Sequence, residues 1–376
     1  MIAQTAHDDT GATSVRETVL ALHDRLASLG ERYDAVPRFP ADSLALIARS
    51  SLHRRYAPVA SGGQAFASVA QENLDMLDAL RGVGRADLSL GRLFEGHVNA
   101  LKLFDWYGTP GQQRVLGEQL DQGLFYGVWA TEPAPGVTIE QEGPAEHLQG
   151  QKAFATGAGG LGFAVVTARP QHGPRRLVVI PANHADRTDL SDWRVRGMRA
   201  TGSGRYDVSG ISVTMANTLG EPGDYDREPR FTAGAWRFTA VQLGGIEGLL
   251  AETRSALSDA ARADPLQRAK FAEAVVAART AGLWVREAAL RAASEDPDAS
   301  AFARLTRGVV ERAGLDVMEL SARLIGTRSA FDGQRIDKIT RDLSLYLRQA
   351  GPDYARDQAA IVWLDHDAWG EGDALW

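Results

Sequence analysis

The amino-acid sequence predicts an α+β chain in three regions: an N-terminal helical domain over residues 1–122, a compact β domain over 123–225 and a C-terminal helical bundle over 226–376. Three observations predict it. Apolar residues recur at helical spacing as far as about Gln122. From Gly123 to about Tyr225, Gly and Pro punctuate short β-branched runs. From about Phe231 the chain returns to long Ala- and Leu-rich stretches with few turn residues, the pattern of an antiparallel bundle.

Each element has its own signal. Ser14 caps a helix that starts at Val15, and Glu17 completes a capping box. Val19, Leu20, Leu22, Leu26 and Leu29 carry that helix onward. A second helix is predicted over 41–51, a third near 64–82 and a fourth over about 86–107. The fourth has Leu90, Leu93, Phe94, His97, Leu101 and Phe104 on one stripe. Residues 161–168 and 176–180 read as strands, and 206–213 alternates as a strand that ends in a turn. Leu243, Ile246, Leu249, Leu250 and Leu257 open the bundle, followed by helical segments at 268–294, 300–325 and 332–349. Gly244-Gly245 inside a helix marks close helix packing, since internal glycine otherwise weakens a helix.

Composition narrows the function. The chain has 376 residues, 44% of them hydrophobic, which supports a large core spread over two or three domains. A net charge of −7 argues against a nucleic-acid or anionic-membrane partner, because both need a basic surface. Cysteine is absent, which excludes disulfides, thiolate nucleophiles and Cys-ligated metals. The eight histidines are scattered, without metal-ligand spacing. No apolar run has transmembrane length and the first residues lack a signal-peptide core, so a cytoplasmic protein is expected.

The specific signal lies in the β region. Val128-Trp129-Ala130-Thr131-Glu132-Pro133-Ala134-Pro135-Gly136 is followed by Gly150-Gln151-Lys152-Ala153-Phe154-Ala155-Thr156-Gly157, by Ala164-Val165-Val166-Thr167-Ala168-Arg169 and by Gly197-Met198-Arg199-Ala200-Thr201-Gly202-Ser203. These four, in this order and with these gaps, resemble the flavin-binding motifs of the acyl-CoA dehydrogenase superfamily. Arg341-Asp342 resembles its C-terminal Arg-Asp, preceded by Leu324-Ile325-Gly326. The resemblance implies a helical domain, a central β barrel and a four-helix bundle. It implies FAD as cofactor, held by Trp129, Ala130, Thr131, Gly136, Phe154, Thr156, Arg262 and Gly326. It also implies a homo-oligomer, a tetramer of paired bundles with the cofactor partly at a subunit boundary. The chemistry agrees. Small hydroxyls such as Thr131 and Thr156 suit the polar edge of a flavin, Phe154 stands where the family has a tryptophan wall, and Gly136 permits close backbone approach to a phosphate. Taken singly, each of these residues reads equally as an ordinary strand or turn residue.

The pattern departs from the family in three places. Val137 replaces a phosphate-facing hydroxyl. Arg262 matches the arginine of an Arg-x-x-Phe-Gly element that reaches a neighbouring subunit's pyrophosphate, yet Asp264 and Pro265 follow, and Arg268 competes for the role. Both arginines also read as solvated helix-end residues. Finally, the glutamate base is missing. Ungapped counting from Arg341-Asp342 puts Ala350 in its place, and the alternative base position, in Gly234-Ala235-Trp236-Arg237, also lacks a carboxylate. Glu247 and Asp353 are the fallback carboxylates.

The leading expectation is an FAD-dependent oxidoreductase acting on an acyl-CoA or related small molecule, with an electron-transfer protein or a flavin reductase as partner. The alternatives are an oxygen-using flavin monooxygenase of the same fold supplied by a reductase, and a non-catalytic flavin-binding homologue. His97 is the catalytic candidate, because its helix in this fold passes near the substrate end of the flavin. Its other reading is a core histidine satisfied by a backbone carbonyl.

Overall fold

The computed structural model describes residues 14–349, 351–370, 372 and 374–376. Five helices come first: α1 (Val15–Ala35), α2 (Ala41–Arg49), α3 (Val69–Ala86), α4 (Leu88–Tyr107) and α5 (Pro110–Asp121). The Ser14–Glu17 capping box is present. The helix α5 lies within the stretch read as helical, beyond the four helices given bounds there, and Thr109 and Gln112 form a second capping box with Pro110 in the first turn.

Ten strands follow: β1 (Tyr126–Trp129), β2 (Thr138–Glu142), β3 (Ala145–Gln149), β4 (Gln151–Ala155), β5 (Phe163–Pro170), β6 (Arg176–Pro181), β7 (Thr188–Asp189), β8 (Gly204–Asp207), β9 (Ser212–Val213) and β10 (Thr218–Leu219). They form a curled seven-stranded sheet in the order β10-β6-β5-β2-β3-β9, with β1 parallel to β5, and a three-stranded sheet β4-β8-β7. The strand β5 is buried from Ala164 to Ala168, as a continuous apolar run at a sheet centre should be. The single strand expected over 206–213 is two. Gly210, at φ +76°, turns the chain so that β8 joins the small sheet and β9 the large one.

The C-terminal helices are α6 (Arg230–Ala233), α7 (Trp236–Ala256), α8 (Asp259–Ala263), α9 (Pro265–Ala293), α10 (Ala299–Ile325), α11 (Arg335–Tyr346) and α12 (Pro352–Asp365). The long helices α7, α9 and α10 pack on one another; α11 lies on α7 and α12 on α10. The N-terminal helix α3 packs on α7, and Gly244 shows how closely: a Cβ there would stand 2.1 Å from the Arg81 carbonyl oxygen. One continuous core therefore joins helices and sheet, with Leu80, Phe94, Val165, Ile246 and Phe302 all within it.

Candidate active site

The sequence motifs converge at the edge where β1 runs out beside β4. Trp129 ends β1, fully buried, and its indole N–H donates to the Thr156 carbonyl at 3.0 Å. Two residues on, the Thr131 carbonyl accepts the Ala153 N–H at 2.9 Å. Beneath them Lys152 is completely buried, and its ammonium donates to Glu132, to the Thr167 carbonyl and, at 3.1 Å, to the Thr167 hydroxyl. Burial lowers Lys152 to about 8, against the opposing pull of Glu132. The ion pair ties the Thr-Glu-Pro turn to β4. Above Glu132 the chain turns through Gly136 at φ +103°, where a Cβ would approach Glu132 Oε1 to 3.0 Å.

Phe154 sits on this edge in a left-handed conformation, at φ +51°, with 66% of its surface exposed. The β4–β8 ladder shifts register between Lys152 and Ala155, which lets both of those residues point inward while Phe154 turns out. A left-handed aromatic residue costs about 1–2 kcal/mol, so strain here marks a position held for use. Thr131 is exposed and Ala130 half-buried on the same edge.

The hydroxyl of Thr156 belongs to a directed chain. Thr201 donates to the Met198 carbonyl at 2.9 Å, Ser203 donates to Thr201 at 2.9 Å, and Thr156 lies 3.0 Å from Ser203. A hydroxyl has one proton. With the Thr201 and Ser203 protons committed, Thr156 donates to Ser203 and presents only lone pairs to a ligand. The exposed ring of Phe154, the exposed Thr131 and this oriented acceptor fit the flat face and N–H-bearing edge of a flavin.

His97 is fully buried, and both of its ring nitrogens are engaged by backbone. Nε2 donates to the His53 carbonyl at 2.7 Å, and Nδ1 accepts the Tyr126 N–H at 3.0 Å. Burial lowers its pKa to about 3. This neutral imidazole splices α4 to β1 and has no nitrogen left for a flavin or substrate, which runs against the catalytic role expected for it. Arg262 is also committed: it donates to the carbonyls of Leu257 at 3.1 Å and of Arg254, closing the end of α7. Arg268 does the same for Arg262 and Ala263 at the end of α8. Gly326 caps α10 at φ +70°, and a Cβ there would meet open space. Ala350 lies outside the described residues. Ala235 stands at the start of α7, beside Arg237.

Sequence reasoning missed a buried polar cluster around that helix start. Glu95, on α4 and only 3% exposed, accepts from Arg92 and from the Asn99 amide, and Asn99 in turn accepts from Arg237. The signal was present as polar residues on the flank of an apolar stripe, but the partner Arg237 is 138 residues away from Asn99. Leu93 of the same helix packs under Gly157, which follows Thr156, so α4 links the flavin-type edge to this cluster.

No family model matches the chain. A dibenzothiophene monooxygenase of Mycolicibacterium goodii is 25% identical over 310 residues, covering 71% of this chain and 74% of that protein. A dibenzothiophene monooxygenase of Rhodococcus erythropolis is 28% identical over 244 residues, and the match spans 58% of its length. The FMN-bound crystal structure of TdsC from Paenibacillus sp. A11-2 superposes with a TM-score of 0.84 at 21% identity, covering 94% of this chain and 98% of that one. Fold and relatives together define the class: an acyl-CoA dehydrogenase-like fold, shared with an FMN-bound structure and similar in sequence to monooxygenases. Within that class, the relatives it resembles are monooxygenases rather than acyl-CoA dehydrogenases.

Proposed function

We propose that the protein is an oxygen-using flavin monooxygenase that acts on a small molecule and receives reduced flavin from a separate reductase. The observation that carries this reading is the start of α7. Dehydrogenation of an acyl thioester needs a carboxylate within hydrogen-bond reach of the α-proton. The helix start offers Ala235 and the cation Arg237, and the nearby carboxylate Glu95 is already bonded to Arg92 and Asn99. The monooxygenase relatives support the same reading.

A bound reduced flavin would supply two electrons to oxygen, so that one oxygen atom enters the substrate and the other leaves as water. The chain's own part is to hold and shield. Thr131, Ala130 and Thr156 meet the polar edge, with Thr156 accepting from a flavin N–H. Phe154 covers a face, Gly136 admits the phosphate, and the Trp129 indole props the Thr156 backbone. FMN suits these residues better than FAD, because Arg262, the match to the arginine that reaches a neighbouring subunit's pyrophosphate, donates to helix carbonyls. TdsC is likewise FMN-bound. Residues 123–225 supply the flavin edge in this scheme, and the regions 1–122 and 226–376 close over it. A homo-oligomer is part of the proposal: Leu266 and Leu283 on α9 and Ile361 and Leu364 on α12 expose apolar surface that a second copy would cover.

The test combines the purified protein with a generic NADH-dependent flavin reductase, FMN, labelled oxygen gas and a panel of small aromatic compounds, neutral and anionic, that includes indole, the ligand in a TdsC complex. Product carrying one labelled oxygen atom is the expected result. Anaerobic bleaching of bound flavin by acyl-CoAs, with no oxygenated product, would reverse the assignment.

A further inference from the structure

We infer that the substrate carries an anionic group, of the carboxylate, sulfinate or sulfonate class, and that Arg237 receives it. This rests on the monooxygenase reading for the place of the reaction, but on independent geometry for the charge. Arg237 is 9% exposed, and among the described residues no carboxylate lies within ion-pair distance of it. Among the described residues its one hydrogen bond goes to a neutral amide oxygen, that of Asn99. Trp106 and Trp236 flank the guanidinium, with ring centroids 5.8 and 5.9 Å away.

The neighbouring charges are already matched. Glu95 serves Arg92 and Asn99. Glu72 serves Lys102 at 2.9 Å, and Lys102 also holds Asp105. Arg230 pairs with Glu295 at 2.6 Å. Arg237 is left as a buried cation with unfilled donors, an unfavourable state unless something completes it. Burial is the dominant influence and lowers its pKa to about 10, even with Glu95 and Glu72 nearby.

Two buried donors in this part of the molecule have no partner among the described residues: the Trp236 indole N–H, whose ring flanks Arg237, and the Tyr346 hydroxyl on α11. Tyr346 lies in the field of Glu95 and Arg92. Unsatisfied buried donors are rare and call for an occupant. A guanidinium and an indole N–H offer donors only, which is the complement of an oxyanion. The site is also placed for the chemistry. Tyr346 follows Asp342 by four residues of α11, about 6 Å of rise, and Asp342 holds the Met198 backbone of the flavin-type edge.

The experiment is calorimetric titration of the full-length protein, with and without FMN, using benzoate and its neutral counterpart benzamide. Benzoate should bind on the order of tenfold more tightly, and Arg237→Gln should erase the difference. Equal affinity, failure of benzoate to bind at millimolar concentration, or a preference that survives Arg237→Gln would overturn the assignment. Should Arg237→Gln fail to fold, Arg237→Lys decides: with the cation kept, the preference for benzoate over benzamide should remain, and its loss would count against the inference. Binding is read without turnover, so an absent oxygenase activity and an absent anion site give separate results.

Discussion

The carboxylate of Asp342 accepts the backbone N–H of Met198 at 2.5 Å across 144 residues of sequence. This bond joins the C-terminal Arg-Asp pair to the Gly-Met-Arg segment. Gly197 is there because the two segments nearly touch: a Cβ on it would lie 2.1 Å from the Arg341 carbonyl oxygen. The other oxygen of Asp342 holds Lys338 at 2.7 Å, and Lys338 reaches Asp87, at the cap of α4, at 2.6 Å. One buried aspartate thus ties the bundle to both the sheet and the first helical region.

Asp342→Ala should therefore act at a distance. It leaves Lys338 with half its counter-charge and Met198 with an unpaired N–H, which should destabilise the protein by about 3–5 kcal/mol. Flavin retention should fall with it, because Met198 anchors the Thr201–Ser203–Thr156 chain. Urea denaturation and FMN titration measure the two effects; stability lost with FMN affinity unchanged would separate the bond from the cradle.

The Lys152–Glu132 pair should show strong coupling. Glu132→Ala strands a buried ammonium and should cost about 2–3 kcal/mol, somewhat below the range for fully buried pairs because Glu132 remains partly exposed. Lys152→Met combined with Glu132→Gln should recover most of that loss. A double-mutant cycle reads the coupling, and additive losses would show that the pair is not a unit.

Phe154 should trade stability against binding. Phe154→Gly relieves the left-handed strain while removing an exposed ring, so stability should hold or rise by up to about 1 kcal/mol. FMN affinity should fall several-fold as the wall is lost. Thermal melting and flavin fluorescence titration test both halves, and a fall in melting temperature like that of a core truncation would mean the ring is packing.

His97 sets an acid limit. Its folded pKa of about 3 lies below the unfolded value of 6.5, so the folded state binds fewer protons between the two. Its contribution is fully present above about pH 6.5 and is lost as pH falls from there toward 3. One such group tilts stability by about 1.4 kcal/mol per pH unit in that window. His97→Gln should reduce the slope of unfolding free energy against pH by one proton between pH 6 and about 4, measured by urea denaturation; an unchanged slope would show that His97 is protonated in the fold.

The sequence by itself determined the helices and the flavin-type motifs, because both are written in local spacing. Helical periodicity and the Ser14 cap need only neighbours within a few residues, and they placed α1, α2, α4 and α10 nearly at their observed bounds. The ordered motifs from Trp129 to Ser203 also lie close in the chain, and they meet at one edge in the fold. What only the tertiary structure decided was which polar side chains are satisfied. His97 and Glu95 stand two residues apart on the same helix, yet His97 is consumed by the backbone of His53 and Tyr126, while Glu95 joins Arg92, Asn99 and Arg237 in a buried cluster. Arg262 read as a cofactor ligand and closes a helix end instead. A polar group's role depends on the partners it finds when water is removed, and in the Glu95 cluster those partners come from segments up to 138 residues away, which no local pattern encodes.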